Sequence, residues 1–341
     1  MNFFIYLFFL TIFIFFLNSF FRKKNFLIST TGDDHQKFAS SEVIPLSGGI
    51  FIFLGIIYFY NINSSFFYIF SFLILMLGFF SDLKLFKSAV LRLLAQVSLV
   101  IFFVIFTELK IQDTRIFLLD KLLENIFLNY LFVSFCILIL INGSNFIDGL
   151  NTLNIGYYIL ICIVFYYLKL EGLIIYLDNL LFFIFFVLAT IFVINILNRM
   201  FLGDAGSYIL GFIFSIVLIE TYNLNNSLSP YFIILLLWYP CFETLFSIIR
   251  KNIVKKSPMS PDTNHLHQLI FLYIKKKFQI NLYYSNIISA NIINLYNAVI
   301  FLISINYISN SQVQIFLILL NLFLYTAIYF KIYFYKLKNL L

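Results

Sequence analysis

The segment Phe201-Leu-Gly-Asp-Ala-Gly-Ser207 sets one carboxylate, Asp204, among small residues at the start of an apolar stretch. A helix beginning there leaves backbone N–H groups uncovered, which attracts phosphate, and its carboxylate can hold a hard divalent cation that bridges to phosphate oxygens. The competing reading is that Asp204 only caps the helix. A second island, Asn142-Gly-Ser-Asn-Phe-Ile-Asp-Gly-Leu-Asn-Thr152, brings a polar group at every third position through Asn142, Asn145, Asp148 and Asn151. Such spacing lines one side of a helical turn. A carboxylate among amides with no basic neighbour in sequence suits metal or sugar hydroxyls; a plain polar turn would look similar.

Ser81-Asp-Leu-Lys-Leu-Phe-Lys87 is followed by Arg92 and Gln96, four apart and so on one helical face. Polar groups at membrane depth usually face the protein interior or a cavity, although an arginine can snorkel to the surface. Ser257-Pro-Met-Ser-Pro-Asp-Thr-Asn-His-Leu-His-Gln268 carries two of the three histidines of the chain. Its prolines impose an extended lead-in, with a short helix expected from near Pro261. His265 and His267 are two apart and cannot both point from one helical face, so one would bind phosphate while the other supports the loop. Solvated histidines are the bland alternative. Zinc suits the island less, with no cysteine beside it and no His-Glu-x-x-His pattern. The remaining histidine lies in His35-Gln-Lys37, ahead of Pro45-Leu-Ser-Gly-Gly49. That glycine pair permits close backbone approach, more simply to a neighbouring helix than to a ligand.

The elements that must position these groups are membrane helices. Hydrophobic residues make up 62% of the 341-residue chain and charged residues 11%, far from the roughly one-quarter charged of a soluble domain. The pattern predicts an all-α, polytopic integral membrane protein in a single domain, 1–341, with the motifs within 32–269. About eleven transmembrane spans are expected, near 3–20, 47–61, 65–80, 89–107, 127–141, 153–169, 180–197, 206–221, 229–248, 285–306 and 312–333. The first has its charges (Arg22, Lys23, Lys24) after it and a run too long for a signal peptide, so it is expected to stay as a helix. The 48 Phe and 23 Tyr read as lipid-facing or inter-helix packing, and Cys136, Cys162 and Cys241 as isolated core residues.

Placing the loop after the first span in the cytoplasm puts 18 of the 22 Lys and Arg on that side, leaving Lys110, Arg115, Lys121 and Lys169 opposite. The positive-inside rule then sets the N-terminus out and the C-terminus in. The net charge of +7 is thus mainly a topology signal with some attraction to anionic lipid, and no nucleic-acid partner is needed to explain it. All the islands fall on the cytoplasmic face, the histidine island in the loop 249–284.

In this order the islands resemble the polyprenyl-phosphate N-acetylhexosamine-1-phosphate transferases, the family of MraY-type peptidoglycan enzymes and WecA-type surface-polysaccharide enzymes. The resemblance runs from about Gly32 to Leu269, and the form Pro-Asp-x-x-His-Leu-His is closer to the WecA-type branch. It implies a Mg²⁺-dependent (or Mn²⁺-dependent) transfer of a UDP-N-acetylhexosamine's sugar 1-phosphate to polyprenyl phosphate at the inner, plasma membrane, initiating O-antigen or another surface polysaccharide. By the same resemblance Asp204 would hold the metal, Asp148 would help position metal or nucleotide sugar, and Asp82 would belong to a catalytic aspartate pair. His265 and His267 would contact the diphosphate. Asn195 and Asn145 would contact substrate, with Lys84, Lys87, His35 and Lys37 as further candidates. A homodimer is compatible with the sequence, which does not set the oligomeric state.

The chain departs from the pattern at Ser81, the first position of the usual Asp-Asp pair, and at Asn151, Thr263 and Gln268. A phosphate monoester has a second pKa near about 6, so the lipid phosphate is largely dianionic at neutral pH without a dedicated base. The competing classes are a multi-pass transporter, which Glu243 inside the ninth span would suit, and the peptidoglycan pentapeptide transferase.

Overall fold

The computed structural model describes residues 3–29, 43–59, 65–177, 179–255 and 264–338. Every regular element among them is an α-helix: α1 (Phe3–Lys24), α2 (Gly48–Ile57), α3 (Ser65–Asp82), α4 (Ala89–Thr107), α5 (Phe117–Leu123), α6 (Ile126–Ile147), α7 (Leu153–Leu170), α8 (Asn179–Ile196), α9 (Gly203–Leu224), α10 (Pro230–Leu236), α11 (Trp238–Ile253), α12 (Leu266–Phe278), α13 (Leu282–Ile305) and α14 (Ser311–Lys338). Nine of these are long and apolar enough to cross a membrane, and α10 with α11 makes a tenth if the bent pair is one span. The chain is a polytopic helical membrane protein, as its composition predicts.

The expectation of eleven full spans needs correcting at two places. The second expected span is the 10-residue helix α2. At 1.5 Å per residue it covers about 15 Å, half of a hydrocarbon core of about 30 Å. The ninth is broken, its two helices bent by 73°. Pro240 in the first turn of α11 has no N–H for the carbonyl of Leu236, and its ring clashes with that carbonyl in a continuous helix. The freed Leu236 carbonyl accepts a hydrogen bond from the Tyr157 hydroxyl at 2.9 Å.

Helix α9 runs through the centre, with a wall of apolar residues buried on all sides, and packs against α2, α3 and α6. Two glycines set how closely. A Cβ on Gly78 of α3 would lie 2.4 Å from the Ala205 Cα, and one on Gly49 of α2 would lie 2.6 Å from the Gly206 nitrogen. The glycine pair thus serves helix packing. Gly78→Ala is expected to lower the thermal midpoint of the detergent-solubilised protein, at a cost of about 1–3 kcal/mol for overpacking. An unchanged midpoint would show that α3 and α9 part here freely.

On the outside, phenylalanines such as Phe8, Phe16 and Phe323 are exposed where lipid would lie, while Tyr157, Tyr158 and Phe214 fill the interior. The three cysteines are free thiols. Helix α1 is part of the packed body: the Tyr6 hydroxyl donates to the Leu54 carbonyl of α2, and the Ser47 hydroxyl to Asn18.

Candidate active site

The C-terminal ends of α3 and α6 meet the N-terminal ends of α4 and α9. Asp82, the last residue of α3, lays both carboxylate oxygens on the open start of α9. Oδ1 accepts from the Asp204 N–H at 2.9 Å and Oδ2 from the Ala205 N–H at 3.1 Å. Gly203 makes room for this: its φ is +73°, a conformation glycine adopts without strain, and a Cβ there would stand 2.7 Å from Asp82 Oδ2. The capping role that the sequence leaves open for Asp204 is therefore filled by Asp82, from another helix.

Asp204 lies in the first turn of α9, with its side chain engaged elsewhere. Oδ1 accepts from Asn145 Nδ2 at 2.7 Å, and Oδ2 accepts from the Ser81 hydroxyl at 2.5 Å and from Arg92 Nη1 at 3.3 Å. Arg92 also donates to the Ser81 oxygen at 2.5 Å, so Ser81 bridges the guanidinium to the carboxylate. The polar face of α4 points inward: below Arg92, the buried Gln96 accepts from Asn142 Nδ2 at 3.0 Å. Sequence reasoning left Arg92 out of the site. Its signal was a cation one turn into an apolar span, in register with a glutamine.

Asp148 follows the last residue of α6. Burial pushes its carboxyl well above the ordinary carboxylate range; hydrogen bonds from Ser207 and Asn154 oppose this, and the charge of Asp204 adds to it. Beside it opens a small cavity lined by Asp148, Asn151, Asn195 and Gly203 among others. The Asn195 amide itself is engaged with backbone: Oδ1 accepts from the Thr152 N–H at 2.7 Å and Nδ2 donates to the Met200 carbonyl at 2.8 Å. It ties the end of α8 to the turns that lead into α7 and α9, which shapes the cavity wall.

The histidine island reaches the same region. His265 and His267 have nearly parallel rings, centroids 5.7 Å apart and planes 14° apart. His265 precedes α12 in extended backbone (φ −69°, ψ 147°) while His267 lies within it, so the two do not share a helical face. His267 packs on the turn after α6, where a Cβ on Gly149 would meet its Nε2 at 2.4 Å. His265 Nδ1 lies 2.9 Å from Glu243 Oε1, and its ring stands 5.2 Å from that of Phe146. Glu243, the carboxylate that would suit the competing transporter reading, is thus the partner of His265. Within the described residues α12 starts at Leu266, after the expected start near Pro261.

Lys84 and Lys87 stand exposed on the turn between α3 and α4. His35, Lys37 and the proline-rich lead-in through Thr263 lie outside the described residues.

Among the described residues no group of three or more His, Cys, Asp or Glu could hold a metal ion unaided. The donor set nonetheless fits magnesium, which is usually bound through one or two carboxylates together with substrate phosphates and water. Asp204 and Asp148 are hard oxygen donors. A carboxylate offers about four acceptor positions, and the three hydrogen bonds to Asp204 leave one. Charge argues the same way, since the carboxylates of Asp82 and Asp148 both feel that of Asp204, and of the three only Asp204 is paired, among the described residues, with a guanidinium, Arg92.

The family model for glycosyl transferase family 4 matches residues 64–222, which hold every aspartate of this site but not the histidines. The probable undecaprenyl-phosphate N-acetylglucosaminyl 1-phosphate transferase of Bacillus subtilis (strain 168) is 28% identical over 243 residues, covering 68% of this chain and 67% of that protein. The undecaprenyl-phosphate alpha-N-acetylglucosaminyl 1-phosphate transferase of Escherichia coli (strain K12) is 27% identical over 247 residues, 67% of this chain and 65% of that one. Its counterpart in Thermotoga maritima is 33% identical over 78 residues, 23% of this chain and 25% of that one. The chain thus spans about two thirds of the length of the first two relatives. With the three aspartates of the site and His265 and His267 at one end of the bundle, the chain is similar to undecaprenyl-phosphate N-acetylglucosaminyl 1-phosphate transferases and, over residues 64–222, to glycosyl transferase family 4.

Proposed function

We propose that this protein transfers the sugar 1-phosphate of a UDP-N-acetylhexosamine to a polyprenyl phosphate such as undecaprenyl phosphate, releasing UMP, on the cytoplasmic face of the plasma membrane. The observation that carries this reading is the pair of opposed roles at the start of α9. Asp82 fixes the helix end from one side, while Asp204 is held beside Arg92 and Asn145 on the other.

An oxygen of the lipid phosphate attacks the sugar-bearing β-phosphorus. The new P–O bond forms as the bond from that phosphorus to the bridging oxygen breaks, and UMP leaves with its electron pair. Phosphoryl transfer asks the protein for positioning and charge stabilisation more than for covalent chemistry. Asp204 and Asp148 are the residues that would hold Mg²⁺, and the chemistry it supplies there is neutralisation of diphosphate charge. Arg92, steadied by Ser81, provides a fixed positive charge, and the start of α9 adds its dipole. His265 and His267 stand at the edge where the diphosphate would lie. Because the lipid phosphate is largely dianionic at neutral pH, a serine in place of the first aspartate leaves this chemistry intact. Initiation of an O-antigen or related surface polymer is the role that such a product suits.

The test is UMP release by purified protein with undecaprenyl phosphate across a panel of UDP-GlcNAc, UDP-GalNAc and UDP-linked deoxy-N-acetylhexosamines. At least one donor should release UMP, chelation of divalent ions should stop it, and added Mg²⁺ should restore it. No release with any donor, together with uptake of a labelled solute into vesicles, would favour a transporter instead.

A further inference from the structure

We propose that Glu243 is a positioning residue of the transferase site, which fixes the His265 ring with Nδ1–H on its carboxylate and Nε2 turned to the substrate. This rests on the transferase reading and adds to it a residue outside the segment that the family model matches, 64–222.

Glu243 lies in α11, on the far side of the break at Leu237, and is 1% exposed. A carboxylate buried so deeply is costly unless both oxygens find partners. Oε1 takes His265 Nδ1 at 2.9 Å, and Oε2 accepts from the Tyr325 hydroxyl of α14 at 2.6 Å. Tyr325 is itself 2% exposed. An ionised carboxylate only accepts, so the imidazole must donate from Nδ1, and the partner of one ring nitrogen decides what the other can do. The remaining nitrogen, Nε2, then lies outside that pair, an acceptor in the neutral ring and a donor to a phosphate oxygen in the imidazolium.

The rest of the surroundings holds the same segment. Arg250 of α11 donates to the Asn264 carbonyl at 2.5 Å and to the Tyr329 hydroxyl at 2.8 Å, while Lys336 of α14 donates to Asn264 Oδ1 at 2.6 Å. The residue before His265 is therefore clamped by two helices, and the His265 ring has those of Phe146 and His267 as neighbours. The bend at Pro240 gives α11 a course of its own below α10, and Glu243 lies one turn beyond it.

The experiment compares Glu243→Gln, His265→Gln and the double variant in UMP release, with 15N-histidine NMR of the detergent-solubilised proteins. Glutamine keeps the size, and its amide can accept from His265 Nδ1–H while donating to the Tyr325 hydroxyl oxygen, so folding should persist. Glu243→Gln should lower kcat by roughly 10- to 100-fold, the usual loss when the outer partner of a functional histidine is removed, with KM for the UDP-sugar little changed. The double variant should be no slower than His265→Gln alone, because the two act as one unit. Additive losses, or an unchanged kcat, would overturn the proposal. In the spectrum a protonated Nδ1 resonance, assigned to His265 by its absence in His265→Gln, should move in Glu243→Gln; an unmoved resonance would equally overturn it. The spectrum needs no substrate. A wild-type protein that releases no UMP would therefore count against the transferase reading while the NMR still decides how Glu243 holds His265.

Discussion

Asp204→Asn is expected to remove UMP release, by roughly 10²–10³-fold or more for the loss of one preorganised electrostatic contact to the transition state, while the thermal midpoint of the protein stays near that of the wild type. Asparagine is nearly the same size, so the close packing of α9 on α2 and α3 is untouched. What changes is what the side chain can accept. Asn145 Nδ2, the Ser81 hydroxyl and Arg92 Nη1 all donate to Asp204. An amide nitrogen would face donors at one of these positions, and a neutral oxygen is a far weaker ligand for Mg²⁺. Stability should suffer less than in Asp82→Asn because no backbone N–H loses its partner, Asp204 keeps some solvent contact at 18% exposure, and neutralising it relieves repulsion with Asp82. UMP release and a melting curve on the same preparation check both halves. Full activity in Asp204→Asn would remove this carboxylate from the reaction.

Legibility in the sequence followed contact range. Hydropathy found nearly all the long helices, because a span is a local property of some twenty residues. It overstated α2, whose apolar run looks like a span although its helix has only ten residues. The break in the ninth span was written in Pro240, but an apolar window does not register a missing N–H. Site residues with their chemistry in one contiguous motif, such as Asp204 among glycines or Asn145 and Asp148 on one turn, were readable. Their partners were not. Asp82 meets Asp204 across 122 positions and Arg92 meets it across 112, and nothing in a single sequence records such pairings. Glu243 was noticed for the right reason, a carboxylate inside a span, and was given the wrong neighbourhood because His265 is 22 residues away on another element. The separate partners of the two histidines were equally unreadable, because His265 stands just before α12 and His267 within it.

Asp82→Asn separates a cap from a base. In the structure both oxygens of Asp82 lie on backbone N–H groups at the start of α9, and the residue is 3% exposed. Hydrogen bonds to a charged group are worth about 1.5–3 kcal/mol each. Asparagine can keep only one of the two, and its amide nitrogen would then oppose a backbone N–H. The end of α9 should shift or fray, carrying Asp204 with it. The expected result is therefore a joint loss: a lower thermal midpoint and a fall in UMP release within the same preparation. Asp204→Asn should lose activity alone. A residue whose task was to take a proton would behave in the opposite way, since removing a buried charge near other carboxylates would relieve repulsion and leave melting unchanged or raised. An Asp82→Asn protein that melts like the wild type and releases no UMP would return Asp82 to the role of base. The joint loss would instead assign it to holding the helix end on which Asp204 stands, and would explain why the neighbouring position tolerates Ser81: the pair does not need two carboxylates when one is a cap and the other position needs only a hydroxyl to bridge Arg92 to Asp204.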